Sequence, residues 1–213
     1  MGVSAGFHDA GVSVINDNGD ILFAGHSERY SKVKNDATLN EGIISAALEY
    51  GDPDVIAWYE RPWLKKTRQL YSGEWRKAFS ELSPRKQLTP YFDNMLLSSP
   101  GVDSNPTRTM QYHSHHLSHA AAGFQTSPFD RAIVVVVDAI GEWDTYSVYE
   151  ASYEPICGFV KYKPLMRQRY PHSLGLFYSA MTQRAGLKPM EEEYILMGMA
   201  AYGKPVYKER MEK

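Results

Sequence analysis

A single cysteine, Cys157, among 213 residues excludes an intrachain disulfide framework and a cysteine-rich metal cluster, because each needs more than one thiol. A reducing compartment, the cytoplasm, is the expected setting, with Cys157 as a small buried apolar residue. No apolar run reaches the length of a transmembrane helix, and the polar N-terminus around His8 and Asp9 lacks a signal-peptide pattern, so neither a membrane span nor export is expected. Charge of one sign is lacking too. A net charge of -2 offers no basic field for nucleic acid or an anionic surface, and neither is an expected partner. What remains is 43% hydrophobic, enough for the core of an ordinary globular protein of one or two domains.

Three short apolar segments open the chain, Gly2 to Ala5, Val12 to Ile15 and Ile21 to Ala24. His8-Asp9 and the turn signal Asn16-Asp17-Asn18-Gly19-Asp20 separate them, so three antiparallel strands are predicted. His8 and Asp9 fall in the first connection, where short polar groups and backbone amides either meet phosphates or simply make the turn. Thr38 is the expected cap of a helix carrying Leu39, Ile43, Ile44, Ala47 and Leu48 on its apolar face, stopped by Gly51 and Pro53. Val55 to Tyr59 reads as a strand. Trp63 to Leu82 reads as one amphipathic helix whose charges form a solvated face. Ser83 to Pro106, rich in Pro, Ser and Asn, reads as a loop.

The chemistry concentrates further on. In a helix from His115 to Phe124, residues four apart lie on one face, so His115 and His119 can aim at one ion while His116 points elsewhere. The β-branched run Ala132 to Val137 suits a strand buried on both faces, with Asp138 where it emerges, the position at which open α/β sheets place ligands. Two imidazoles and a carboxylate suit several divalent ions, iron and zinc among them. Spacing alone leaves a second reading open, a helix start with His113 and His116 solvated and His119 hydrogen-bonded in the core.

After Val137 the opening pattern returns: a polar connection from Asp138 to Asp144, a strand from Thr145 to Glu150, a turn near Tyr153 to Pro155 and a strand around Gly158 to Tyr162. The echo predicts a duplicated lobe. A helix from Ser173 to Ala185 follows, expected to turn Leu174, Phe177, Tyr178 and Met181 inward.

Four collinear motifs make a resemblance specific. They are His115-His116-Leu117-Ser118-His119-Ala120-Ala121, Val137-Asp138-Ala139-Ile140-Gly141-Glu142-Trp143, Tyr170-Pro171-His172-Ser173-Leu174-Gly175-Leu176-Phe177-Tyr178-Ser179-Ala180, and Glu193-Tyr194-Ile195-Leu196-Met197-Gly198-Met199-Ala200-Ala201-Tyr202-Gly203. Together with Gly6-Phe7-His8-Asp9-Ala10, Ser27 to Lys34 and Tyr59-Glu60-Arg61-Pro62, they resemble the motif series of NodU/CmcH-type O-carbamoyltransferases. The resemblance implies an α/β, ASKHA-type fold of ribonuclease H-like lobes related to the tRNA threonylcarbamoyladenosine synthases. Residues 1–130 would be the first lobe and 131–213 the start of a second.

The implied reaction transfers a carbamoyl group, through carbamoyl adenylate made from ATP and carbamoyl phosphate, to a hydroxyl of a small-molecule or sugar acceptor. The resemblance assigns a divalent metal to His115, His119 and Asp138, with Fe2+ expected and Zn2+ or Mn2+ as substitutes. It assigns carbamoyl-adenylate contacts to His8 and Lys34, beside Asp9. His8 can serve as general base on the acceptor hydroxyl or as a hydrogen-bond donor, and Lys34 as a point charge at the phosphates or as a solvated loop lysine. Glu142 is a candidate to orient Asp138, whereas Glu191 to Glu193 read as a solvated helix start. The family continues well beyond this length. The expected partner is therefore a complementary chain with the rest of the ASKHA domain and a YrdC-like domain, or a second copy in a homo-oligomer. A catalytically incomplete metal-binding or regulatory half-protein is the alternative, and an unrelated metal-dependent hydrolase a third.

Overall fold

The computed structural model describes residues 1–80, 83–92, 109–155 and 158–212. Cys157 and most of the expected loop before Pro106 lie outside them. The chain divides into two compact units, Met1–Pro128 and Phe129–Lys213.

The first unit is built on a five-stranded mixed sheet. Its strands are β1 (Gly2–Ser4), β2 (Gly11–Ile15), β3 (Ile21–His26), β4 (Val55–Trp58) and β5 (Thr109–Tyr112), ordered β3-β2-β1-β4-β5. The first three are antiparallel, as their turn chemistry predicts. Asn16 Oδ1 accepts the amides of Asn18 and Asp20 at 3.0 and 2.9 Å, and Gly19 takes the left-handed conformation that closes the hairpin. β4 lies parallel to β1 and β5 parallel to β4. Parallel neighbours need long crossovers, and helices fill them. α1 (Glu28–Ser31) and α2 (Glu41–Leu48) precede β4, and α3 (Pro62–Tyr71), α4 (Trp75–Ser80) and α5 (Pro84–Leu88) follow it. After β5 comes α6 (His115–Gln125). Alternate strand residues Val3, Val12, Val14, Ile56 and Trp58 join Ile43, Ile44 and Ala47 of α2 in one buried core.

Local expectations fail where tertiary partners intervene. The cap of α2 is Asn40, whose side chain accepts the Ile43 amide at 3.1 Å. Thr38 turns instead to Asp36, donating its hydroxyl to Oδ1 at 2.6 Å. The expected single helix over 63–82 breaks at Gly73, which has φ +79°. Its exposed residues include Trp63, Tyr71, Trp75 and Phe79, while Lys65 and Gln69 are buried. Within the stretch expected to be loop, Leu88 of α5 and Phe92 are buried in the core.

The second unit holds a three-stranded antiparallel sheet of β6 (Arg131–Gly141), β7 (Asp144–Tyr153) and β8 (Val160–Arg169). α7 (Leu174–Arg184), α8 (Glu193–Ala200) and α9 (Lys208–Met211) follow. Two expectations are corrected here. Burial of β6 on both faces does not occur, because Ile133, Val135 and Val137 are more than half exposed. α7 does not turn Leu174, Phe177, Tyr178 and Met181 inward; its buried residues are Ser179 and Thr182. The reason is close approach. An ideal Cβ built on Gly175 falls 2.6 Å from Ala139 Cα, so the small-residue face is the one that fits against β6.

Gly175→Ala therefore overpacks this contact against backbone that cannot rotate away. The expected loss is about 1–3 kcal/mol of stability in the second unit, read as a lower urea midpoint. An unchanged midpoint would show that α7 can move off β6 freely.

Among the described residues no helix is long and apolar enough to cross a membrane.

Candidate functional site

One edge of the first sheet gathers most of the residues singled out by the sequence. β3, β1, β4 and β5 all run in one direction, since β3 is antiparallel to β2 and β2 to β1. Their C-terminal ends deliver Ser27 to Lys34, Gly6 to Asp9, Tyr59 to Glu60, and His113 to His115 respectively. Backbone bonds stitch the loops together: Gly6 N to Ala37 O at 2.8 Å, Ala10 N to Asp36 O at 2.7 Å and Ser27 N to Ala10 O at 2.7 Å. The carboxyl ends of strands are where α/β sheets receive ligands.

α6 begins at this edge and is helical where the spacing predicts. Ser118 donates its hydroxyl to Tyr59 O at 2.9 Å, fastening the helix to the end of β4. His115 and His119 present Nε2 atoms 3.1 Å apart. Nitrogens bound to one ion at about 2.0–2.1 Å, with the angles of octahedral or tetrahedral coordination, stand about 2.9–3.4 Å apart. The pair meets that requirement. His116 is buried, 1% exposed, while His119 stays accessible, the reverse of a solvated His116 and a core His119.

Glu60, to which the sequence reasoning gave no role, supports the pair. Its Oε2 faces His115 Nδ1 at 3.7 Å and its Oε1 accepts from Lys65 Nζ at 3.1 Å, with all three side chains largely buried. Burial pushes the carboxyl's pKa up, but the neighbouring His115 ring and the Lys65 ammonium override it and hold Glu60 below the usual carboxylate range. At 3.7 Å the carboxylate lies beyond hydrogen-bond length, and through its charge it favours the proton on Nδ1, which leaves Nε2 its lone pair as in metal-bound histidines. Burial of Lys65 on α3 follows from the same carboxylate.

His8 is exposed on the loop after β1, with Nδ1 2.9 Å from Asp9 Oδ2 and its ring against Phe7. Asp9 adopts φ +47°, a conformation short polar residues tolerate. Lys34 is also exposed and pairs with Glu28 Oε2 at 3.3 Å. Glu28 binds the Asn35 amide through the same oxygen at 3.3 Å. Two ends of one sequence motif thus meet around one carboxylate. The Asn35 amide and Lys34 hold the pKa of Glu28 below its ordinary value. A lowered folded pKa means that the restraint is complete above the ordinary glutamate value, about 4.3, and is lost as pH falls through the lower folded value. The Asn35 amide shift, followed by NMR, should titrate with a midpoint below that ordinary value. A midpoint at or above it would show that Glu28 does not hold the Lys34 loop.

Asp138 belongs to the second unit. It sits inside β6 rather than beyond its end, in the stretch between Val137 and Gly141 where the pairing with β7 shifts register. Such irregularities re-aim a side chain from the regular pleat. Its Oδ1 accepts the Ala139 amide at 2.7 Å, and Ser173 donates to the carbonyls of Asp138 and Ala139 at 3.3 and 2.7 Å. Glu142, buried, turns the chain towards β7 with φ +56°. Glu193 is not merely solvated, for it accepts from Ser179 Oγ at 2.5 Å and from the Met190 amide at 2.6 Å.

Three relatives share this sequence over nearly its whole length. The uncharacterized protein sll1178 of Synechocystis is 31% identical, covering 97% of this chain and 35% of that protein. Nodulation protein NolNO of Sinorhizobium fredii is 28% identical, covering 93% of this chain and 28% of that protein. The uncharacterized protein MJ1058 of Methanocaldococcus jannaschii is 24% identical, covering 96% and 42%. The chain thus spans about a third of the length of these relatives. Residues 1–212 match the family described as Carbamoyltransferase N-terminus, and the chain belongs to that family.

Proposed function

We propose that this chain is the N-terminal part of an O-carbamoyltransferase, which passes a carbamoyl group from carbamoyl adenylate, made from ATP and carbamoyl phosphate, to a hydroxyl of a small-molecule or sugar acceptor. The observation that carries the reading is the His115–His119 pair, set at a metal-ligand separation in a chain of the carbamoyltransferase family. His115 and His119 hold a divalent ion, Fe2+ or in its place Zn2+ or Mn2+, with Asp138 as third ligand. Such an ion supplies charge to polarise phosphate and carbamoyl oxygens. Glu60 keeps His115 in the tautomer that leaves Nε2 free. His8 donates to, or takes the proton from, the acceptor hydroxyl, and its contact with Asp9 favours the form in which Nε2 carries the lone pair. Lys34 sets a positive charge at the adenylate phosphate, on a loop restrained by Glu28.

The ASKHA-type arrangement is part of the same reading, with 1–130 as first lobe and 131–213 as start of the second. Both sheets begin with an antiparallel series of three strands, as a duplicated lobe requires. The exposed apolar residues of β6 and α7 supply a surface for the rest of the second lobe, in the same polypeptide or a complementary chain that also carries a YrdC-like domain.

The test is transfer of radiolabel from carbamoyl phosphate to an acceptor hydroxyl, in the presence of ATP and the complementary segment. Paired replacement of His115 and His119 by alanine should abolish transfer. Labelled product formed equally well by the paired variant overturns the reading.

A further inference from the structure

A cavity of about 800 Å³ opens in the first unit beside the Glu60–His115 contact, within the size range of small-molecule sites. Its wall is mostly apolar and includes the rings of Trp58, Trp63 and Tyr112, the last two packed edge to face at 5.7 Å. Trp58 is 1% exposed, and its indole N–H has no hydrogen-bond acceptor among the described residues. That nitrogen is itself closed off from solvent, so the ring meets the cavity through its apolar surface.

Charge narrows the class further. Among the described residues the wall carries one carboxylate, Glu60, and Lys65 matches it at 3.1 Å. Lys66, Arg85 and Lys86 also line the cavity, so the described residues of the wall carry an excess of positive charge. An anion is favoured there, and Arg85 adds the fork geometry that suits carboxylate or phosphate. Glu60 touches both the cavity and His115, so a molecule held here lies next to the histidine pair.

We propose that this cavity is the acceptor site, and that it takes a largely apolar, hydroxyl-bearing ring compound with one anionic group. The assignment as acceptor rests on the carbamoyl-transfer reading, but the binding chemistry does not. The rings of Trp58, Trp63 and Tyr112 cover the faces of the acceptor, and Lys66 and Arg85 hold its anionic end.

The chain has four tryptophans, Trp58, Trp63, Trp75 and Trp143, which makes fluorine NMR of fluorotryptophan-labelled protein a site-resolved test. The probes are para-hydroxyphenylacetate and its neutral analogue para-hydroxyphenylethanol, added without ATP or metal. The acid should shift the Trp58 and Trp63 signals saturably, leave Trp75 and Trp143 in place, and bind about five-fold or more tighter than the alcohol. Lys66→Ala combined with Arg85→Ala should erase that preference, and Trp58→Phe should weaken both probes, with unmoved Trp75 and Trp143 signals reporting an intact fold. Equal affinity for the two probes, or no saturable change at Trp58, overturns the proposal. Absence of carbamoyl transfer would be a separate result, since this measurement needs no reaction.

Discussion

His119→Ala should leave the protein unable to retain a divalent transition metal through dialysis, whereas the native chain should retain about one equivalent. Substituting a residue that merely orients a ligand already costs about 10–100-fold in affinity, so loss of a ligand itself should exceed that range. The two Nε2 atoms stand 3.1 Å apart, and deleting one removes both a coordinate bond and the chelate. Folding should be little changed, because His119 is exposed and its removal opens no core cavity. Metal analysis beside a thermal melt checks both halves of the expectation. Equal metal in wild type and variant would end the assignment of the histidine pair.

The second large effect is expected at Glu60. Glu60→Ala removes the carboxylate 3.1 Å from the largely buried Lys65 ammonium, and breaking a buried pair from one side costs about 3–5 kcal/mol. Urea unfolding should show that loss. Replacing both partners, Glu60→Leu with Lys65→Met, should recover most of the stability, because neither buried charge of the pair remains. Metal affinity should not recover, since the carboxylate facing His115 Nδ1 at 3.7 Å is still gone. A double variant that regains both properties would reduce Glu60 to a structural ion-pair partner. One that regains stability alone separates its two roles.

What the residues reveal by themselves follows how local the physics is. The i, i+4 relation of His115 and His119 depends only on helix geometry, and α6 forms where that spacing predicts. The opening strands are equally legible, because Asn16 to Asp20 close their hairpin through bonds within five residues. Membership of the carbamoyltransferase family was legible from collinear motifs, which survive whatever the chain folds into.

Non-local packing decided the rest. Glu60 meets His115 across 55 positions because β4 and β5 are parallel neighbours and α6 is fastened to Tyr59, a relation no window of sequence contains. The same carboxylate reverses the face of α3, where apolar spacing had put the aromatic residues inward and Lys65 outward. On α7 the hydrophobic pattern again pointed the wrong way. Transfer from water favours burying Leu174 and Phe177, but the approach of the helix to β6 leaves no room for a side chain at position 175, and steric exclusion outweighs the apolar preference. Pattern states which residues gain from burial; only the sheet order and the distances between elements decide which of them obtain it.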